Sequence, residues 1–336
     1  MSDTESIPAP LKATPVQDLF FQDGNIVLQA EKTLFRLYKG FLASKSTVFR
    51  DMLAFPQPEG RGRTLLGCPV VEMYDNSEDA THFLRALSDP SYLLPGKPTS
   101  FAEVAAVLRL ANKYDTPFLV ERAVAHVASV YPPTLAGWAR RNEERTVRRA
   151  PYLCVAVLQL AREQPAALTC VLPQVLYACA DGLSVAEIFD GVDFCYGVAS
   201  EDGVRADEEE SAEAGRGKGV RRVVLCPADQ RAVLRGREEL LQAKRVRLYA
   251  FLTSLSAGCG GHACREEKLK CFAKVQWDAA VFDSAEDFDW RCFEQRVCKR
   301  CFSEGRAAHD IALEGLWNEL PRFFDLPKWE ALWRAQ

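Results

Sequence analysis

Four cysteines in the last third of the chain have the residue type and grouping expected of a metal site. They are Cys259, Cys264, Cys298 and Cys301. The last two form a C-x-x-C pair, and the first two flank a glycine-rich turn that would let the backbone wrap around an ion. Structural zinc prefers four sulfur or nitrogen ligands in a tetrahedron, commonly supplied as two pairs that the fold brings together. The four thiols therefore form a candidate zinc site, with His262 as a substitute ligand.

The same cysteines also suit the interior of a helical domain. The first pair has a longer spacing than the usual C-x-x-C, and Cys271 and Cys292 show that cysteine is common in this region. A C-x-x-C on a helix places two thiols on one face, where they can pack as small hydrophobic groups. The sequence leaves both interpretations open and predicts no cofactor other than this candidate zinc.

Motifs that mark common catalytic sites are absent from the sequence. It contains no G-x-S-x-G, no G-x-x-x-x-G-K-(S/T), no G-x-G-x-x-G after a strand and no H-E-x-x-H. The glycines of residues 215–219 follow an acidic tract rather than a strand, which favours a flexible linker over a phosphate-binding loop. We therefore expect no catalytic residues and no enzymatic activity.

Composition and charge are those of an ordinary globular protein. Hydrophobic residues make up 48% and charged residues 26%, and the formal net charge is −4. Arginines concentrate between residues 140 and 149, but Glu143 and Glu144 interrupt them, which is typical of a solvated helix face. We therefore expect no nucleic-acid partner.

Membrane and export signals are also missing. No apolar stretch reaches the roughly 18–20 residues that a membrane-spanning helix needs. Residues 1–15 lack the basic and apolar segments of a secretory signal and predict a disordered tail. The twelve cysteines are then expected as reduced thiols in an intracellular protein of the cytoplasm or nucleus.

The first third of the chain predicts a small sheet with helices. Residues 25–30 and 33–38 are two β-rich runs around a polar pair, which indicates a hairpin, and residues 68–73 predict a third strand. Apolar residues at helical spacing follow the hairpin. Three more helices are predicted, the first capped by Ser77, the second by a capping box of Ser100 and Glu103, and the third opened by Pro117.

From residue 134 onward the pattern predicts helices almost throughout. Ser184 and Glu187 make another capping box, and a long helix is predicted from about residue 228 to 256. Further helices are expected at 288–302, 308–320 and 328–333, broken by prolines at 321 and 327. An acidic and then glycine-rich segment at about 200–220 predicts a disordered loop. The expected fold is α+β, with a mixed domain at 16–133 and an all-α domain at 134–336.

The N-terminal domain resembles the BTB/POZ family. The resemblance rests on residues 25–28 (NIVL), 35–43 (FRLYKGFLA), 46–52 (STVFRDM) and 110–114 (LANKY). These segments are similar to the strand, the F-x-x-H-(R/K)-x-x-L step, the S-x-x-F-x-x-M helix and the A-x-K-Y helix end of that family. The resemblance covers about residues 20–131 and implies a BTB/POZ fold, and the whole chain is most similar to a group of fungal BTB proteins.

The resemblance implies a protein-binding role, with self-association as a homodimer and other, unidentified protein partners. It places Phe20 and Phe21 at a partner interface, although the same side chains could pack on their own core. Lys39 keeps the basic position of a charged pocket that relatives use for peptides, but Asn25 replaces its usual acidic residue.

Relatives that bind a cullin commonly carry an apolar-x-Glu step in a loop that corresponds to residues 91–95. That loop contains Tyr92, a further candidate interface residue, but has no Glu. A role as a cullin-type ubiquitin-ligase adaptor or a transcriptional regulator is therefore an alternative that the sequence neither favours nor excludes. A zinc-stabilised structural module in the C-terminal half is a further alternative.

Overall fold

The computed structural model describes residues 13–55, 63–195, 220–256, 259, 261–275, 277–283 and 288–334. The chain forms two compact units that divide between Ala125 and His126, earlier than the boundary predicted at residue 133. The first unit contains a five-stranded sheet with helices, and the second is mainly helical. The chain is therefore an α+β protein with its larger sheet in the N-terminal part. Within the described ranges, no helix combines the length and apolarity that a bilayer crossing requires.

The sheet of the first unit is built around a β-hairpin. Its strands are β1 (Thr14–Phe20), β2 (Ile26–Ala30), β3 (Thr33–Leu37), β4 (Thr64–Leu65) and β5 (Cys68–Met73). Their spatial order is β1-β3-β2-β5-β4. β2 and β3 are antiparallel, and β2 pairs in parallel with β5 on its other side. All five residues of β2 are buried, as expected for a central strand. The predicted hairpin and third strand are thus confirmed.

Five helices follow in this part of the chain, and the last of them continues past the unit boundary at Ala125. They are α1 (Lys39–Lys45), α2 (Thr47–Ala54), α3 (Ser77–Ser88), α4 (Phe101–Lys113) and α5 (Pro117–Val130). The capping box of Ser100 and Glu103 is confirmed at the start of α4. The predicted cap of α3 was wrong by one residue. Asn76 accepts the first-turn N–H groups of α3, while the hydroxyl of Ser77 donates to Glu31 in the hairpin turn.

The N-terminal tail was predicted to extend to residue 15, but Thr14 and Pro15 already belong to β1. This strand pairs in parallel with β3, and the backbone N–H of Thr14 donates to the carbonyl of Lys32 at 2.8 Å. The local sequence could not show this, because residues 14–20 do not alternate regularly between apolar and polar side chains. The strand forms because its backbone pairs with β3. Residues 1–12 lie outside the described part of the chain.

The second unit is a helical array with one small β-ribbon. Its helices are α6 (Leu135–Glu144), α7 (Leu153–Glu163), α8 (Pro165–Leu168), α9 (Leu172–Gly182), α10 (Val185–Asp190), α11 (Pro227–Ala243), α12 (Ala250–Thr253), α13 (His262–Lys274), α14 (Trp290–Arg296), α15 (Lys299–Phe323) and α16 (Trp329–Arg334). The capping box of Ser184 and Glu187 is confirmed in α10. The ribbon pairs β6 (Val192–Cys195) with β7 (Val220–Val223) and was not foreseen. The loop predicted at 200–220 lies outside the described residues, except that Val220 begins β7.

The predicted helix from 228 to 256 changes its winding part-way. After α11, residues Lys244–Leu248 form a π-helical turn, and α12 follows. Lys244 is fully buried, and its ammonium group donates to Asp278 Oδ1 at 2.6 Å and to the carbonyl of Ala280 at 3.2 Å. π-turns commonly occur where a helix must place a particular side chain. Here the wider turn accompanies a buried lysine whose carboxylate partner is exposed.

The prediction that Pro321 breaks the C-terminal helix was wrong. α15 continues through it to Phe323. A proline lacks the N–H that would donate to the carbonyl four residues earlier, which belongs to Trp317. Nε1 of Trp329 in α16 donates to this carbonyl instead, at 3.1 Å. The backbone acceptor that proline leaves unpaired is thereby satisfied by a side chain from the next helix.

Candidate metal centre

The two cysteine pairs lie at the N-terminal ends of two helices in the second unit. Cys264 is in the first turn of α13, and Cys259 precedes that helix. Cys298 is the N-cap of α15, and Cys301 is in its first turn. The partial positive charge of a helix N-terminus favours thiolate over thiol. Both helices therefore present the end that best stabilises sulfur ligands.

The four sulfur atoms converge on one point. All of them lie within 4.8 Å of one another, and the sulfurs of Cys259 and Cys298 are 3.9 Å apart. Zinc–thiolate bonds of about 2.3 Å in a regular tetrahedron require sulfur atoms about 3.8 Å apart. The cluster therefore has the dimensions of a four-sulfur metal site, and the residues could hold a metal ion.

Backbone N–H groups already point at these sulfur atoms. The N–H of Cys298 donates to Sγ of Cys264 at 3.2 Å, and the N–H of Cys301 donates to Sγ of Cys298 at 3.5 Å. Such hydrogen bonds stabilise the negative charge of a coordinating thiolate and fix its direction. They also couple the two pairs, because the first bond links the loop before α15 to a cysteine of α13.

The thiols of the cluster differ in acidity because they hydrogen-bond to one another. Burial opposes ionisation of Cys301, but hydrogen bonds from Ser256, Cys259 and Cys298 lower its pKa to about 7. At Cys259 the backbone N–H of Gly261 favours the thiolate, yet hydrogen bonds to the other three thiols raise its pKa to about 11. The four thiols are therefore close enough to hydrogen-bond to one another.

The cluster is a closed four-sulfur site at the edge of the unit. Cys264 and Cys301 are buried, Cys259 is half-buried and Cys298 is exposed. Four protein ligands fill a tetrahedron and leave no position for water or substrate, which is the arrangement of structural rather than catalytic zinc. The exposed sulfur of Cys298 gives an ion a path from solvent.

A group of aromatic side chains packs against α15. Phe251 lies 5.6 Å from Trp290 in a stacked arrangement and 5.7 Å from Phe288 at an edge, measured between ring centroids. Gly305 is buried against Phe251, one turn after Cys301 on the same helix. Helix α15 can thus start at the cluster and still pack closely, because glycine leaves room for the ring.

Polar contacts also connect the helices that supply the ligands. Glu267 of α13 accepts from Arg296 of α14 at 3.2 Å. Lys268 of α13 is buried and donates to the carbonyl of Ser254, just after α12, at 2.8 Å. These contacts hold α13 against its neighbours. Exposed ion pairs such as the first contribute little to stability, so a metal ion would add a much stronger link.

The other residues named with the site fall outside the cluster. His262 is exposed at the start of α13 and is not one of the four converging ligands, so the structure gives no place for it as a substitute. Cys271 and Cys292 are half-buried and also lie apart from the group. Gly258 and Gly260 of the expected turn lie outside the described residues.

The two aromatic residues expected at a partner interface pack within the first unit. Phe20 is half-buried against a core cluster that includes Val27 and Leu34. Phe21 is half-buried, and its ring centroid lies 5.4 Å from that of Tyr38. Both side chains therefore contribute to their own core and retain part of their surface for solvent or a partner.

Lys39 and Tyr92 also have neighbours in the first unit. The side chain of Lys39 is exposed, and its backbone N–H donates to Oδ1 of Asn25 at 2.8 Å, so Asn25 caps α1. The hydroxyl of Tyr92 lies 2.6 Å from Nδ1 of His82 and 3.3 Å from a carboxylate oxygen of Glu103. Tyr92 is thus held in a polar network on the inner side of its loop.

Sequence reasoning missed a polar cavity of about 200 Å³ in the second unit. Arg141 pairs with Asp283, 142 positions away, and Asp283 also accepts from the hydroxyl of Tyr177. Partial burial, together with the nearby charge of Asp283, raises the pKa of Asp181 to about 6. No local signal could have joined residues so distant in sequence.

No family model matches the chain, and no curated protein matches it either.

Proposed function

We propose that Cys259, Cys264, Cys298 and Cys301 bind one structural zinc ion that stabilises the helical unit. The convergence of the four sulfur atoms within 4.8 Å carries this proposal. Thiolates in a tetrahedron select zinc or iron, and a closed site with four protein ligands is the usual arrangement of structural zinc. The ion would join the start of α13 to the start of α15 and would perform no chemistry on a substrate.

Metal analysis of the purified full-length chain tests this proposal. We expect about one zinc and no stoichiometric iron per chain. Cys264→Ser and Cys301→Ser should lose the zinc, because each removes a buried ligand. Cys292→Ser is the matched control, since Cys292 is a half-buried cysteine of α14 outside the cluster. A metal-free chain that melts at the same temperature with and without added zinc would overturn the proposal.

A second proposal concerns the first unit, which we infer to be a protein-binding module of the BTB/POZ kind. Three large side chains support it, namely Phe55, Leu66 and Tyr74, which are 71%, 63% and 87% exposed. A partner that covered these side chains would remove their apolar surface from water. β1 and β4 are also the edge strands of the sheet, and edge strands can pair with another chain.

In this proposal the protein is a non-enzymatic scaffold of the cytoplasm or nucleus that forms homodimers. Adaptor function in a cullin-type ligase or in transcription is its more specific form. Sedimentation analysis of the full chain at micromolar concentration tests self-association, and a monomer would refute it. Pull-down with a purified cullin separates the adaptor role from scaffolding in general.

A further inference from the structure

A groove in the first unit combines an apolar floor with unpaired positive charge. It has a volume of about 410 Å³ and lies between α1, the end of α3 and α5. Phe41 and Lys45 come from α1, Leu87 and Ser88 from α3, and Phe118 and Arg122 from α5. We call it the Phe118 groove. Its volume is at the lower end of the roughly 300–1,000 Å³ that holds small ligands and anchoring side chains.

The floor and walls of the Phe118 groove are apolar. Leu87 is only 4% exposed, and the rings of Phe41 and Phe118 are half-buried at the sides. An aromatic or leucine side chain that enters would replace water at these surfaces, at about 25 cal/mol for each Å² of apolar area buried. The groove is therefore shaped for one large apolar anchor.

Two cations stand over the same aromatic ring at the mouth of the groove. Nζ of Lys45 lies 5.9 Å from the centroid of the Phe118 ring, and Cζ of Arg122 lies 5.7 Å from it. Arg122 donates one hydrogen bond to the carbonyl of Pro90 at 3.3 Å. Among the residues that the structure describes, neither cation has a carboxylate within ion-pair distance, and none of the groove-lining residues is acidic.

Ser88 adds an unused polar group to the wall. Its hydroxyl is buried and has no hydrogen-bond partner within the described part of the chain. Buried polar groups normally have a partner.

We propose that the Phe118 groove binds a short acidic segment of a partner protein, with one aromatic or leucine side chain inserted and carboxylates beside Lys45 and Arg122. The two cations attract the carboxylates of such a segment, and the apolar floor accepts its large side chain. No other class of ligand matches both features equally well. Nucleic acid and anionic membranes both need a wider basic surface than two cations provide. This inference rests on the proposed protein-binding function, for which it names the partner class.

Fluorescence anisotropy with the full chain tests the inference directly. The probe is a fluorescein-labelled peptide with a central phenylalanine and two glutamates on each side. We expect saturable binding that weakens at least tenfold when the phenylalanine becomes alanine or the glutamates become glutamine. The double variant Lys45→Glu/Arg122→Glu should weaken it by a similar factor, because the carboxylates then face like charges.

A charge-matched control separates groove contacts from net charge. Lys32→Glu/Lys97→Glu changes two exposed lysines elsewhere on the same unit and should bind within about twofold of the native chain. Lys45→Arg/Arg122→Lys keeps both positive charges and should retain binding. It shows that substitution at these two positions does not by itself disrupt the fold. Equal loss in both glutamate variants, or no binding by the native chain, would overturn the proposal. Stronger competition by a single-stranded oligonucleotide or by phosphatidylserine vesicles would also overturn it.

The outcome is distinguishable from failure of the protein-binding proposal itself. Self-association measured on the same samples does not depend on the acidic peptide. If the protein is a dimer that does not bind the peptide, only the groove proposal is refuted. If it is a monomer that binds the peptide, the groove proposal stands and the homodimer proposal is refuted.

Discussion

Replacing two glycines of α15 by alanine should have opposite effects on stability. A Cβ added at Gly305 would lie 2.8 Å from Cδ2 and 3.3 Å from Cε2 of Phe251, a side chain that is 6% exposed. A Cβ at Gly315 would meet nothing closer than 3.7 Å, at a nitrogen of Arg247. Both positions lie inside the same helix, so the two variants gain the same helix propensity and differ in packing.

The magnitudes follow from these distances. Alanine in place of glycine inside a helix stabilises by about 1 kcal/mol. Overpacking a buried contact costs about 1–3 kcal/mol, because the ring and its neighbours must move. Gly315→Ala should therefore gain about 1 kcal/mol, and Gly305→Ala should lose about 1 kcal/mol, a difference of about 2 kcal/mol.

Urea denaturation followed by circular dichroism measures both variants against the native chain. Gly305→Ala should also hold zinc less tightly, since Cys301 is one turn earlier and moves with the helix. The control is Gly315→Ala, which should keep native metal content. The reasoning would be refuted if both variants changed stability in the same direction, or if Gly305→Ala lost stability without any effect on metal release.

Three further predictions concern the chelated protein, Asp181 in the polar cavity and Gly236 of α11. Chelation of zinc should lower the melting temperature by about 10 °C, which corresponds to ~4 kcal/mol. Scanning calorimetry measures this, and Cys301→Ser should melt at the chelated value with or without chelator. Asp181→Asn should stabilise the protein above pH 6 and lose this advantage below about pH 4, where the native aspartate is protonated in both states. The raised pKa of Asp181 means that its protonated form favours folding, so the charged form costs stability above pH 6. Solvent screening limits the stability gained by Asp181→Asn to about 1 kcal/mol. Denaturation that showed the same gain at every pH would contradict the raised pKa. Gly236→Ala should cost about 2 kcal/mol or more in urea, because its Cβ would lie 2.0 Å from the buried ring of Phe324, and a neutral result would mean that this ring can move aside.

Features specified by neighbouring residues were predictable from the sequence. The hairpin at residues 26–37 and the capping boxes that begin with Ser100 and Ser184 each depend on a few adjacent side chains. The four cysteines could be named as candidate metal ligands by residue type. Whether they converge could not be predicted, because that depends on how α13 packs against α15.

The errors have a common cause in contacts between distant parts of the chain. Ser77 looked like a helix cap, but Glu31 of the hairpin turn engages its hydroxyl. Pro321 looked like a helix breaker, but Trp329 donates to the carbonyl that proline leaves unpaired. In both cases the local rule was sound, and a partner invisible to local reasoning changed the outcome.

The indole N–H of Trp329 ties α16, the last described helix, to the carbonyl of Trp317 in α15. A chain that stopped at residue 328 would remove this donor and leave the Trp317 carbonyl buried beside the proline without a partner. Such a loss costs about 1–3 kcal/mol, and α15 would be expected to bend or unwind at that point. Because the same helix carries Cys298 and Cys301 at its other end, shortening the protein at its carboxyl terminus would weaken ion retention far from the cut.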